Sequence, residues 1–308
     1  MAPDSAPAPE TRRLSRRWAL SGLALAAVAG AVAAHRWRQR GEPDERLVYK
    51  ALPGDGLHLD HFRPRNPGTA GLAPGLLLFH GGGWAFGSPR QFHSPARDLS
   101  QRLGLHVFCV EYRIRSRHQS TPAEAVQDAR DAIRYVRQHA ARLGVDASRV
   151  AAGGGSAGGH LAACLGTGAG LPDPRPPAQT QAHAELLAST RPQALVLLNP
   201  MLDLSPGRPD HADVAAHWEA LSPHHHVGPG LPPTLVLSGT QDAEVPVATV
   251  QAFCARAQAA GSRCEARFFE GAGHGFFNAE VAGGRFARPT WEAVEQFLRQ
   301  QGLASPPA

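Results

Sequence analysis

The sequence predicts an α/β domain, a mostly parallel sheet with helices on both faces. Three observations carry the prediction. Solid apolar runs of strand length recur after residue 46, as expected for strands covered on both sides. Helical stretches with recognisable start and stop signals alternate with them. At 308 residues the chain is long enough to enclose one large core.

The elements follow in order. Residues 46–52 (RLVYKAL) and 57–64 (LHLDHFRP) read as two short strands around a Pro-Gly-Asp-Gly turn. The run at 76–79 (LLLF) is a strand buried on both faces, and 105–114 (LHVFCVEYRI) is another. A helix is predicted over 121–144. Thr121 is its N-cap, Pro122 opens the first turn and Glu124 closes a capping box. Val126, Ala129, Ile133 and Val136 form its apolar stripe, and Gly144 ends it. Residues 149–155 (RVAAGGG) give the next strand and 157–166 (AGGHLAACLG) the next helix. Strands at 194–202 and 234–242, a helix at 247–261, a strand at 264–274 and a helix at 290–302 complete the alternation. No internal repeat is visible. Residues 167–192 and 203–233 break the rhythm, and insertions of that length are lids, binding loops or disordered excursions.

The net charge of +5 has one source. Residues 1–40 hold seven arginines against Asp4 and Glu10, so the remainder of the chain is balanced and has no global field to attract nucleic acid. The order within this segment is that of an export signal. Paired arginines in SRRWALSG (15–22) precede an apolar run at 18–34, and Ala31–Ala33 offers a small-x-small cleavage site. The Arg pair and the mild Ala/Gly-rich run lean to the twin-arginine type, with periplasmic or extracellular delivery. The competing reading is an uncleaved anchor, in which residues 18–34 touch the membrane; 17 residues is at the short limit for a span. Either way residues 41–303 make up the domain.

Four cysteines occur. Cys109 and Cys164 fall in apolar runs and read as buried small side chains. Cys254 lies on a predicted helix and Cys264 on the strand that returns from it. Outside the cytoplasm they can bridge, although helix-to-sheet spacing is often too wide for a disulfide, so both states stay open. There is no C-x-x-C, and the sole lysine, Lys50, rules out a G-K-[ST] phosphate loop.

AAGGGSAGGH (151–160) satisfies two motifs at once. Gly153, Gly155 and Gly158 match the dinucleotide pattern G-x-G-x-x-G, whereas Gly154, Ser156 and Gly158 match the nucleophile pattern G-x-S-x-G. The dinucleotide reading needs a strand about 20 residues on that ends in an acid; PDPRPPAQTQAHAE stands there and is no strand. The nucleophile reading needs a strand-to-helix turn, which is what flanks Ser156. LFHGGGW (78–84) supplies a second part: a strand running into three glycines whose N–H groups are free to converge. Gly82 and Gly83, with Ala157 after the serine, make an oxyanion hole. A serine also needs a base, and the base an orienting acid. His274 lies in a glycine-rich loop and Asp242 at the end of the preceding strand. Asp203 and Glu244 compete for the acid role, less favourably. Trp84, Phe276 and Phe277 flank these motifs; Trp84 and Phe276 are the candidates for the substrate pocket, with core packing the alternative. The histidines of SPHHHV (222–227) are successive, so they point apart, and no metal or other cofactor is expected.

HGGGW, GGGSAGGH, NPMLDLS, GTQD and GAGHGFF in this order resemble the α/β-hydrolase superfamily. Within it they resemble bacterial esterases and lipases of the hormone-sensitive-lipase-like and acetyl/feruloyl-esterase branch, over about residues 47–300. The resemblance implies an α/β-hydrolase fold, a Ser156–His274–Asp242 triad and an oxyanion hole at Gly82, Gly83 and Ala157. It also implies a serine carboxylesterase that takes small-molecule or carbohydrate esters, acetyl esters among them. The alternatives are a serine peptidase of the same fold and a non-catalytic binding protein. Cap helices usual before the first strand have little room here, so an open site for short acyl groups is expected. The sequence is silent on oligomeric state.

Overall fold

The computed structural model describes residues 41–65, 71–173 and 189–304. The chain divides into a unit Met1–Glu42 and a unit Pro43–Ala308. Residues 1–40, read from the sequence as an export signal or anchor, lie outside the described residues, among which no helix is long and apolar enough to cross a membrane.

Strands β1 (Glu45–Lys50), β2 (Leu57–Phe62) and β3 (Ala73–Phe79) lead to helix α1 (His93–Leu103) and strand β4 (His106–Val110). Helix α2 (Pro122–Gln138), strand β5 (Val145–Gly155), helix α3 (Ala157–Thr167) and strand β6 (Leu195–Leu198) follow. Strand β7 (Thr234–Gly239), helix α4 (Val247–Ala259), strand β8 (Cys264–Phe269) and helix α5 (Ala287–Gln300) close the chain. The eight strands form one sheet in the order β1-β2-β4-β3-β5-β6-β7-β8. β2 pairs antiparallel with both β1 and β4, and the remaining neighbours are parallel. The mostly parallel sheet expected from the sequence is present.

Alternating residues of each strand feed two cores. Leu77, Phe79, Phe108, Val150, Ala152 and Val236 face α2, α3 and α4. Leu76, Leu78, Val107, Ala151, Val196 and Leu235 face α1 and α5. The chain runs from β3 outward to β4 and then returns to β5 on the other side of β3. This reversal opens a crevice beyond the carboxyl ends of β3 and β5, where sheets of this type bind ligands.

The helix expected at 121–144 starts as foreseen, with Thr121 and Glu124 reciprocally bonded in a capping box. It breaks at His139, whose Nδ1 meets the Tyr135 carbonyl at 2.9 Å and whose ring stacks on Tyr135. The strand expected at 105–114 ends at Val110. Beyond it the Glu111 carboxylate turns to Arg46, His58 and Arg117. Cys254 and Cys264 are joined, with Cα atoms 5.2 Å apart, and Cys109 and Cys164 are buried thiols. Short helix–strand spacing at the edge of the sheet settles the pairing that the sequence left open.

Candidate active site

Ser156 sits between β5 and α3 at φ 54°, ψ −121°, a conformation a serine holds only under strong constraint. The constraint is visible on both sides. Its N–H donates to the Leu198 carbonyl at 2.9 Å, which ties the turn to β6. At Gly154 a Cβ atom would stand 2.5 Å from the Phe79 carbonyl oxygen, so strand and helix approach through glycine alone. The strained turn lifts the hydroxyl above the sheet, and the first turn of α3 presents its free N–H groups beside it.

His274 lies in the loop after β8. Its Nε2 is 2.9 Å from Ser156 Oγ, and its Nδ1 is 2.9 Å from Asp242 Oδ2. Asp242 follows β7; its Oδ1 accepts the backbone N–H groups of Glu244 and Val245, each at 2.9 Å. With Asp242 accepting at Nδ1, the ring keeps its proton there and offers the Nε2 lone pair to the serine. Burial opposes a charge on both groups. It is outweighed at His274 by the hydrogen bond and charge of Asp242, then by the charges of Glu244 and Asp210, so the imidazole is held above its ordinary range. At Asp242 the hydrogen bonds and the charge of His274 also outweigh burial and hold the carboxyl below its ordinary range. The two competitors for the acid role go elsewhere. Asp203 binds Arg208 and the Ser205 N–H. Glu244 reaches the opposite nitrogen of the imidazole, with Oε2 3.3 Å from Nε2.

The N–H groups of Gly82, Gly83 and Ala157 meet no acceptor among the described residues. Gly82 is held at φ 121°, its carbonyl accepting from Ala85 and Phe86. A Cβ there would lie 2.4 Å from the Phe86 oxygen, so only glycine makes this turn.

Trp84 and Phe276 both lie in the core. Trp84 is 2% exposed and packs edge-on against His160; Phe276 is fully buried between Phe269 and Phe277. The tight turn after Gly82 folds the indole inward, and what it turns outward is Phe86, 66% exposed beside the glycine loop. Aromatic type alone could not separate those two positions. SPHHHV forms a single helical turn in which His225 meets Ser222 Oγ and His226 meets the Glu219 carbonyl. The 203–233 insertion packs on α3 through His160 Nε2 and the Leu221 carbonyl, 2.7 Å apart.

Two residues here were given no role by the sequence. Asn199, buried at the end of β6, sets its Nδ2 3.2 Å from His274 Nε2 and 3.4 Å from Nδ1. Gln91 joins two loops: its Oε1 accepts the Gly81 N–H at 2.7 Å and its Nε2 donates to Asn278 Oδ1 at 3.2 Å. Asn278 in turn donates to the Gly275 carbonyl at 2.9 Å, beside His274. The glycine loop and the histidine loop are therefore held in register by one side chain. Gln91→Ala should lower kcat about tenfold with KM within about twofold, because misplaced groups weaken the transition state rather than ground-state binding. Steady-state kinetics that show a change in KM alone would refute this role.

A family model described as the alpha/beta hydrolase fold matches residues 76–278. The chain is similar to a probable carboxylic ester hydrolase, LipM, of Mycobacterium tuberculosis, 29% identical over 265 residues that cover 80% of this chain and 59% of LipM. It is similar to the ethyl acetate hydrolase of Pseudomonas putida, 34% identical over 172 residues, 54% of this chain and 48% of the relative. The chain thus spans about half the length of these curated relatives. Esterase 2 of the planctomycete Thermogutta terrifontis, solved with propionate bound, shares 38% identity at a TM-score of 0.75, over 86% of this chain and 96% of that one. The same enzyme has been solved with butyrate bound and phosphorylated by paraoxon.

Proposed function

The chain belongs to the α/β-hydrolase family, and from that premise we propose that it is a serine carboxylesterase acting on short-chain acyl esters. The observation that carries the reading is the unbroken hydrogen-bonded chain Ser156–His274–Asp242 beside three unpaired N–H groups. In the proposed reaction His274 Nε2 takes the Ser156 proton as Oγ attacks the ester carbonyl. The N–H groups of Gly82, Gly83 and Ala157 receive the developing oxyanion. The imidazolium, steadied by Asp242, returns the proton to the leaving alcohol, and water activated by the same nitrogen releases the acid. A complete chain of this kind favours an enzyme over a non-catalytic binding protein.

Short acyl groups are favoured by the relatives. One is an ethyl acetate hydrolase, and another has been solved with propionate and with butyrate. Delivery to an oxidising compartment is supported by the Cys254–Cys264 bridge and by the order of charges and apolar residues in the first 40 positions.

One experiment tests the mechanism and the acyl preference together. The purified protein should hydrolyse p-nitrophenyl acetate faster than p-nitrophenyl laurate. Paraoxon should abolish both activities, with one diethylphosphoryl group found by peptide mass spectrometry on Ser156. An adduct on any other residue, or full activity in the labelled protein, would overturn the serine mechanism, and a preference for laurate would overturn the short-acyl reading.

A further inference from the structure

Three carboxylates act on His274, and they do not share one side of the ring. Asp242 holds Nδ1. Glu244 Oε2 lies 3.3 Å from Nε2, the nitrogen that also faces Ser156 Oγ at 2.9 Å. Asp210, in the 203–233 insertion, adds its charge without a direct contact. The placement of Glu244 follows from the turn itself. The Oδ1 atom of Asp242 captures the Glu244 backbone N–H, and the side chain two residues beyond the acid is thereby delivered to the far nitrogen. Among the described residues the Glu244 carboxylate pairs with no other basic group, and its side chain is 55% exposed.

We propose that Glu244 is a second carboxylate partner of His274, a positioning residue that holds the protonated Nε2. This rests on the reading of His274 as the base for Ser156. While Nε2 is unprotonated, its lone pair and the carboxylate repel each other and the serine hydroxyl has the nitrogen to itself. Once Nε2 carries a proton, the carboxylate is an ion-paired acceptor within reach. Glu244 thus attracts one protonation state and repels the other. In the resting protein this favours the imidazolium, the form unable to take a proton from Ser156.

The sign of the consequence is fixed. A neighbouring negative charge favours the charged ring, so the working neutral form is lost at higher pH with Glu244 than without it. Asp242, Glu244 and Asp210 push the same way against burial; Ser156 and Asn199 contact the ring as neutral groups. Asp210 is itself pushed up to about 6 by burial, then by the charges of Glu244 and Asp213. Neutralising Glu244 lets Asp210 ionise more readily and replace part of the lost charge.

The test is the pH dependence of kcat/KM for p-nitrophenyl acetate. Glu244→Gln should move the acidic limb down by about half to one pH unit, so that the variant retains more of its plateau rate near pH 5 than the parent does. Glu244→Asp should restore part of the shift, and Glu244→Gln combined with Asp210→Asn should shift the limb further than Glu244→Gln alone. Because Glu244 is exposed, raising salt from about 0.05 to 1 M should move the parent limb toward that of the variant, and the variant limb by less. A Glu244→Gln limb that coincides with the parent limb overturns the proposal, and so does a parent limb that ignores salt. Stoichiometric labelling of Ser156 by paraoxon in the same preparations separates this failure from failure of the serine mechanism, which would show as an unlabelled Ser156.

Discussion

Asp242→Asn is expected to lower kcat by about 10⁴ while leaving the fold and KM close to those of the parent. The substitution preserves shape and removes one property. Asp242 accepts at Nδ1 through Oδ2 at 2.9 Å and takes two backbone N–H groups through Oδ1. Asparagine can still accept those backbone donors with its carbonyl oxygen, so the turn survives. Its amide nitrogen then faces Nδ1 and donates to it. The imidazole answers by placing its proton on Nε2, where it meets Ser156 Oγ as a donor and can no longer receive the hydroxyl proton. No neighbour repairs this. Asp203 is committed to Arg208. Glu244 lies on the Nε2 side, 3.3 Å away, where it reinforces the wrong tautomer. Stopped-flow acylation measured with p-nitrophenyl acetate decides the matter: a loss under tenfold would mean that the acid works only by holding a loop.

The contrast between Asp242 and Glu244 marks the boundary of what the sequence made legible. The proposed triad residues could be located because each follows shortly after a strand, and strands announce themselves as apolar runs. LLLF, VAAGGG and TLVLSG are fully buried strand segments, and the proposed chemistry sits one to four residues beyond them. What depended on direction rather than position stayed hidden. Trp84 and Phe86 are two residues apart in one loop, yet the first is 2% exposed and the second 66%. The positive φ at Gly82, Gly83 and Trp84 reverses the chain there, and no periodicity survives such a reversal. Gln91 and Asn278 are 187 positions apart, and their contact has no motif because either amide would look ordinary on any surface. The side of the imidazole that Glu244 reaches follows from a two-residue turn closed by Asp242, a three-dimensional fact that composition does not encode.

Gly158→Ala should be the most damaging of the small substitutions, because helix propensity and sterics point in opposite directions there. Gly158 occupies the first turn of α3, where alanine is intrinsically better by about 1 kcal/mol. A Cβ atom at this position would stand 1.9 Å from the Phe79 carbonyl oxygen, 2.4 Å from its carbonyl carbon and 2.5 Å from the His80 oxygen. All three are backbone atoms at the end of β3, so no rotamer change relieves the overlap. Either the start of α3 or the segment entering the glycine loop has to move by roughly an ångström, well beyond the tolerance of a packed interior. Both movements separate Ala157 from Gly82 and Gly83, the groups proposed to receive the oxyanion together. Loss of a single such donor lowers kcat by about 10²–10³, and the variant should lose at least about 100-fold. Overpacking of this kind costs about 1–3 kcal/mol, which for a domain of this size lowers Tm by roughly 2–12 °C. Gly228→Ala is the matched control: an added methyl there meets nothing within 4 Å, and stability should stay within about 0.5 kcal/mol. Calorimetry and kcat on the two variants separate the outcomes. A Gly158→Ala protein with the parent Tm and parent kcat would mean that strand and helix do not approach as closely in solution, and the strained turn that presents Ser156 would lose its physical basis.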